Sequence, residues 1–295
     1  MTILDEIGAS IRQLAEGAGT SVVGIGQRWG VGSGIVLGEG KVLTNAHNVR
    51  GDQVTVTFAD GRSVDGTVAG RDVDADLAVI SVDTSGLPAL PWADSVPAQI
   101  GTPVFALANP GGGGLRVTFG YVSGIERTFR GPRGQRITGS LEHTAQLLPG
   151  SSGGPILTAA GQLLGINTHR LGEGFYLAIP ADEALRGRAD TLARGESAQS
   201  PRLGVAIAPS FVARRLRRAV GLPDADGLLI RDVAEDSPAA GAGIVQGDLI
   251  VAAAGQPIRT PDDLFDALKA AQGGTIELNL IRGTDERTIQ VTLGD

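Results

Sequence analysis

The sequence predicts a mostly β protein in two parts: a strand-rich body over residues 20–186 and a small α+β domain over residues 202–295. Three observations carry that prediction. Short apolar runs recur along residues 20–180 with turn residues between them, the pattern of barrels or a sandwich. Glycine is abundant, at 45 of 295 residues, yet follows no Gly-X-Y period, so it punctuates strands rather than building a collagen helix. A polar, proline-closed stretch, GESAQSP at 195–201, then separates a second and shorter set of elements.

Taken in order, residues 1–19 place Ile3, Leu4, Ile7, Ile11 and Leu14 at the spacing of an amphipathic helix. Strands follow near 21–25, 34–37, 41–44, 54–58, 64–69 and 77–82. In the fourth, Val54, Val56 and Phe58 alternate with Thr55 and Thr57, the period of a half-buried strand. Three prolines in 88–98 mark a seam, beyond which a second series runs near 103–108, 117–125, 153–158, 162–167 and 174–179. Residues 181–194 turn helical, and 187–201 is expected to be a helical end and linker. In the last domain, strands are expected near 203–207, 227–233, 249–253, 276–281 and 287–293. Helices are expected near 211–220 and 261–271, the latter with Pro261 in the first turn, where its missing N–H is harmless.

Composition excludes several classes. The net charge of −7 is spread over both parts, so neither has the basic footprint that nucleic-acid binding needs. The one basic cluster, Arg214, Arg215, Arg217 and Arg218, reads as a solvated helical face. Cysteine is absent, which removes disulfides, thiolate catalysis and cysteine-based zinc sites. No apolar run approaches the ~18 residues of a membrane span. Asp5 and Glu6 stand where a signal peptide would be basic, so the chain reads as cytoplasmic, or as periplasmic or secreted if a leader has been trimmed from it.

With three histidines and no cysteine, few residues can do chemistry. His47 ends the segment VLTNAH directly after an apolar strand, and Asp76 directly precedes the strand LAVI. Ser152 lies in PGSSGGP, a glycine-rich turn in which backbone N–H groups can converge. A hydroxyl, an imidazole and a carboxylate are the parts needed to activate a weak nucleophile, and their order along the chain is that of chymotrypsin. Asp72 and Asp74 rival Asp76, and Ser151 rivals Ser152. His143 and His169 read as polar loop residues. NPGGGG at 109–114 lacks the Lys-Ser/Thr of a phosphate loop and reads as a mobile loop beside the substrate.

The motifs TNAH, DADLAVI and PGSSGGP, followed by GQLLGINT and GFYLAIP, resemble the HtrA/Deg family of trypsin-like serine proteases. RLGV at 202–205 and SPAAGAGIVQGDLIVAAAGQPI resemble that family's C-terminal PDZ domain. The resemblance implies a chymotrypsin-like pair of six-stranded antiparallel β-barrels followed by a PDZ domain. It further implies that Ser152 is the nucleophile, His47 the general base and Asp76 its orienting carboxylate. The N–H groups of Gly150 and Ser152 would form the oxyanion hole. Leu147, Thr168, His169 and Arg170 are candidates for the S1 pocket, with Leu147 suggesting small apolar P1 residues, and 169–174 looks like a short loop beside it. Ser151 and Thr144 stand where the family usually has Asn and Asp. Leu203, Gly204 and Val205 would receive a peptide C-terminus, with Arg202 in place of the usual aromatic.

The implied function is a serine endopeptidase acting on unfolded or damaged proteins, without cofactor or metal, and with a homotrimer as the family's common assembly. Residues 1–28 hold no aromatic residue of the kind that often makes those trimer contacts. The alternative is a non-catalytic, chaperone-like binding module whose triad never assembles.

Overall fold

A computed structural model of the chain describes residues 2–26, 31–93, 98–131, 136–172, 174–197, 202–271 and 274–293. The chain divides into two compact units, Met1–Ala198 and Gln199–Asp295. The first opens with helix α1 (Ile3–Glu16), begun by a capping box in which Thr2 and Asp5 exchange hydrogen bonds. Its expected apolar stripe is only partly used. Leu14 is buried and Ile7 and Ile11 pack beside it, whereas Ile3 and Leu4 lie exposed in the first turn.

Two closed antiparallel barrels follow. Strands β1 (Val22–Ile25), β2 (Gly32–Gly38), β3 (Lys41–Thr44), β4 (Gln53–Thr57), β5 (Ser63–Asp72) and β6 (Leu77–Ser81) close in the order β1-β2-β3-β6-β5-β4. Strands β7 (Pro103–Ala108), β8 (Arg116–Arg130), β9 (Arg136–His143), β10 (Pro155–Leu157), β11 (Leu163–Gly172) and β12 (Phe175–Pro180) close as β10-β11-β12-β9-β8-β7.

Many of these strands are apolar on both faces, and the packing gives the reason. Val23, Val42, Ala78 and Ile80 fill the first barrel, and Val104, Ala106, Val122 and Ile156 the second. Their alternate neighbours Val22, Leu43, Leu77 and Val79 meet Phe105, Leu107 and Leu157 in a third core between the barrels. Helix α2 (Glu183–Ala193), capped by Asp182, seals that core with Leu185, Ala189 and Leu192. The boundary expected at residue 186 therefore falls inside a helix whose apolar stripe belongs to the first unit.

Three expectations are corrected. Strand β9 has no counterpart in the sequence reading, because RITGSLEH offers only two aliphatic residues and bends at Gly139. Of the short loop expected at 169–174, residues 169–172 are instead the end of β11, where His169 pairs with Leu177 and Arg170 with Tyr176. NPGGGG, expected as a mobile loop, forms a turn seated against the first barrel: a Cβ on Gly112 would come within 2.3 Å of Thr57 Cγ2.

The second unit is a sheet in the order β13-β14-β15-β17-β18. Its strands are β13 (Val205–Ala208), β14 (Leu228–Val233), β15 (Leu249–Ala253), β17 (Thr275–Arg282) and β18 (Asp285–Thr292), with the short β16 (Gln256–Pro257) beside β15. Helix α5 (Pro261–Ala270) packs Leu264 and Leu268 onto it, and helices α3 (Ser210–Ala219) and α4 (Pro238–Gly241) complete the unit. The basic cluster on α3 is not uniformly solvated. Arg217 is buried and donates to the carbonyls of Pro223 and Gly283, while Arg214 and Arg218 pair with Asp226 and Asp224. The expected linker lies partly outside the described residues.

Candidate active site

The first barrel supplies two of the three expected groups. Past the end of β3, a single 3₁₀ turn, Ala46–Asn48, presents His47. Asp76, just before β6, has a left-handed backbone (φ 56°), tolerable for aspartate and held by Asn45, whose amide donates to the Asp76 carbonyl at 2.9 Å. Its carboxylate accepts from His47 Nδ1 at 2.8 Å, from the His47 backbone N–H at 3.1 Å and from Thr168 Oγ1 at 2.7 Å. A carboxylate only accepts, so Nδ1 carries the proton and Nε2 is left as a bare acceptor on a partly exposed ring.

The rival carboxylates are placed otherwise. Asp72 is buried, caps the turn through the N–H groups of Asp74 and Ala75, and meets Arg188 of α2 at 2.5 Å. Asp74 makes no hydrogen bond to a histidine.

The second barrel supplies the serine. The turn Gly150–Gly154 is clamped to the first barrel by Ser33, whose N–H donates to the Ser152 carbonyl at 2.8 Å and whose hydroxyl donates to the Gly150 carbonyl at 2.9 Å. Asn48, next to His47, donates to the same Ser152 carbonyl. Gly153 must be glycine: its φ is +87°, and a Cβ would fall 2.0 Å from the Ser33 carbonyl oxygen. The N–H groups of Gly150 and Ser152 donate to no described residue, whereas that of Ser151 is taken by the Leu148 carbonyl. Ser152 Oγ donates to the Thr168 carbonyl at 3.1 Å rather than to His47.

Beside Ser152 lies a pocket of about 160 Å³ whose wall includes Leu147, Thr168, His169, Arg170 and Tyr176. The Thr168 hydroxyl is engaged by Asp76, so Thr168 reaches the pocket without offering it that polar group. His169 stacks on Phe129 at 5.4 Å, and Arg170 Nε donates to the Gly172 carbonyl. His143, expected in a loop, is fully buried at the end of β9. Its Nε2 lies 2.9 Å from Asn167 Oδ1, and burial pushes its pKa down to about 4 against the smaller opposing effect of that hydrogen bond. Sequence reasoning missed Ser33, Asn48 and Asn167, which hold the turn through backbone groups. Among the described residues, no cluster of three or more His, Asp or Glu is placed to hold a metal ion.

In the second unit, Leu203 and Gly204 lead into β13, an edge strand that among the described residues pairs only with β14. Their N–H groups donate to no described residue. Gly204 has a φ of +77°, and a Cβ there would collide with Ser237 at 2.2 Å.

Known proteins resemble this chain in sequence and in fold. A trypsin-like peptidase domain matches residues 32–166 and a PDZ domain matches 229–282. The putative serine protease HhoA of Synechocystis is 36% identical over 90% of this chain and 70% of its own length. The chain belongs to the HtrA/Deg family of trypsin-like serine endoproteases. A probable periplasmic DegP-like endoprotease of Halomonas elongata is 35% identical over 91% of this chain, which spans only 57% of that relative. Among solved structures of the family, HtrA-type protease AlgW with a decapeptide aligns with a TM-score of 0.68 and 25% identity over 97% of this chain and 98% of that one. The serine endoprotease of Yersinia pestis aligns with a TM-score of 0.66 and 28% identity over 96% and 97%.

Family membership also corrects the cytoplasmic reading. Relatives from Halomonas, Rhizobium and Pseudomonas are named periplasmic endoproteases, whereas that reading rested on the first residues alone. Among the described residues no helix is long and apolar enough to cross a membrane.

Proposed function

We propose that this chain is a serine endopeptidase of unfolded or damaged proteins, in which Ser152, His47 and Asp76 act as nucleophile, base and orienting carboxylate. The observation that carries the reading is the tautomer imposed on His47: with Nδ1–H committed to Asp76, Nε2 is free to take a proton. Ser152 Oγ turns from the Thr168 carbonyl to His47, transfers its proton to Nε2 and attacks the scissile carbonyl. The oxyanion is received by the N–H groups of Gly150 and Ser152, each worth roughly 10²–10³ in rate. The imidazolium returns its proton to the leaving amine, and water repeats the sequence on the acyl-enzyme.

The pocket of Leu147, Thr168, His169 and Arg170 takes the P1 side chain. Leu203, Gly204 and Val205 hold a peptide C-terminus, with the ligand added as a strand beside β13. A periplasmic setting and a homotrimer complete the reading. Fluorophosphonate labelling tests it, with the adduct expected on Ser152 and absent in Ser152→Ala. Ser151→Ala retains labelling and casein hydrolysis. Full activity in Ser152→Ala would reject the mechanism.

A further inference from the structure

We propose that His143 is a positioning residue for the nucleophile turn, acting through Asn167 on the backbone that carries Ser152. The inference rests on the reading of Ser152 as nucleophile. Asn167 is the hub. Its N–H donates to the Gly154 carbonyl and its carbonyl accepts from the Gly153 N–H, both at 2.8 Å, so it brackets the two glycines that follow Ser152. Its side-chain amide reaches the Pro155 carbonyl at 3.4 Å, which turns the amide oxygen toward His143. That orientation assigns the His143 proton to Nε2, as donor to Asn167 Oδ1. The next residue, Thr168, accepts from Ser152 Oγ and donates to Asp76. A shift of Asn167 therefore moves the nucleophile and a partner of the triad carboxylate together.

Space filling alone does not account for a histidine here. His143 is fully buried, and its Nδ1 has no hydrogen-bond partner among the described residues, an arrangement that destabilises a fold. An aliphatic side chain would occupy the site without that penalty. What the imidazole adds is one donor aimed at Asn167. The ring also stacks on Tyr176 at 5.8 Å, and Tyr176 lines the pocket beside Ser152. Attack on a carbonyl tolerates little misplacement of the nucleophile, so a modest loss of alignment appears in rate rather than in binding.

The test measures fluorophosphonate labelling of the full chain against reagent concentration, which separates the maximal rate from the half-saturating concentration. His143→Leu is expected to lower the maximal rate about tenfold, the scale of one net hydrogen bond, with half-saturation unchanged within about twofold. His143→Gln, whose amide can still donate to Asn167, should recover to within about threefold of the native rate. In an Asn167→Ala background, His143→Leu should add no further loss. Imidazole ¹⁵N NMR of the native chain should show the proton on Nε2, a readout that needs no activity and no variant that folds. A native chain that never labels rejects the nucleophile reading. A native chain that labels beside an equally fast His143→Leu rejects the positioning role alone. Additive losses in the Asn167→Ala background, or a proton on Nδ1, also overturn it.

Discussion

Acidification should destabilise the first unit through His143, beginning as the pH falls below that of an ordinary imidazole. Burial holds this imidazole at a pKa of about 4 in the folded chain, against 6.5 when unfolded. The folded pKa is depressed, so its contribution to stability is complete above pH 6.5 and is lost as pH falls toward 4. Across that window the unfolded chain binds a proton that the folded chain refuses. At ~1.4 kcal/mol per pH unit the loss is about 2 kcal/mol by pH 5 and about 3 kcal/mol at its limit. That is a sizeable share of the stability of an ordinary domain, roughly 5–15 kcal/mol.

The assay is urea unfolding followed by tryptophan fluorescence. Both tryptophans, Trp29 and Trp92, belong to the first unit, so the signal does not report the second. His143→Gln should flatten the dependence of the unfolding free energy on pH between pH 7 and 5 by about 2 kcal/mol, whatever it does to stability at neutrality. The slopes, not the absolute values, carry the test, because His47 and His169 are common to both chains. Equal slopes would refute the reasoning.

Asp76→Asn should leave the fold intact and lower kcat by about 10⁴, because the amide can no longer hold His47 in the Nδ1–H tautomer; peptide-ester kinetics check it. In the second unit, burial alone would raise the pKa of Asp248. The hydrogen bonds and charge of Arg282 and the Val245 N–H outweigh it and hold the carboxyl below its ordinary value. Arg282→Ala should therefore strand a buried anion and destabilise that unit by about 3 kcal/mol, read by native-state hydrogen exchange of β15 and β17. Peptides with apolar last residues should bind the second unit at micromolar Kd, about −8 kcal/mol, and C-terminal amidation should remove most of that binding in titration calorimetry.

How much of this was legible depended on whether side chains or backbone carried the information. Strand β6 of the first barrel was visible because it has an inward face and a face toward the interbarrel core, so residues 77–80 read as an unbroken apolar run. Strand β9 was invisible for the opposite reason: Glu142 and His143 are buried polar residues whose partners lie on other strands. Glu142 reaches Ser123 and Arg127, and no local pattern announces such pairings. At the site, His47, Asp76 and Ser152 were recognisable from their motifs. The clamp by Ser33 and Asn48 was not, because it engages backbone carbonyls more than one hundred residues away.

That clamp links fold to chemistry. The Ser152 carbonyl accepts from Ser33 and Asn48, so Ser152 of the second barrel is indexed to β2 and to the turn that holds His47. Thr168 returns the connection by donating from the second barrel to Asp76 in the first. Relative movement of the barrels would therefore stretch both links at once, displacing Ser152 from His47 and removing a donor from Asp76. The interbarrel core of Leu43, Val79, Leu107 and Ile166, sealed by α1 and α2, resists that movement. Burial of those side chains supplies roughly 1.5–3 kcal/mol each, far more than either hydrogen-bond link. The apolar seam thus sets the distance between the barrels, and the polar contacts across it translate that distance into the alignment of the three groups. A cavity made at Leu107 or Ile166 should for this reason slow acylation as well as lower stability, although neither side chain touches substrate.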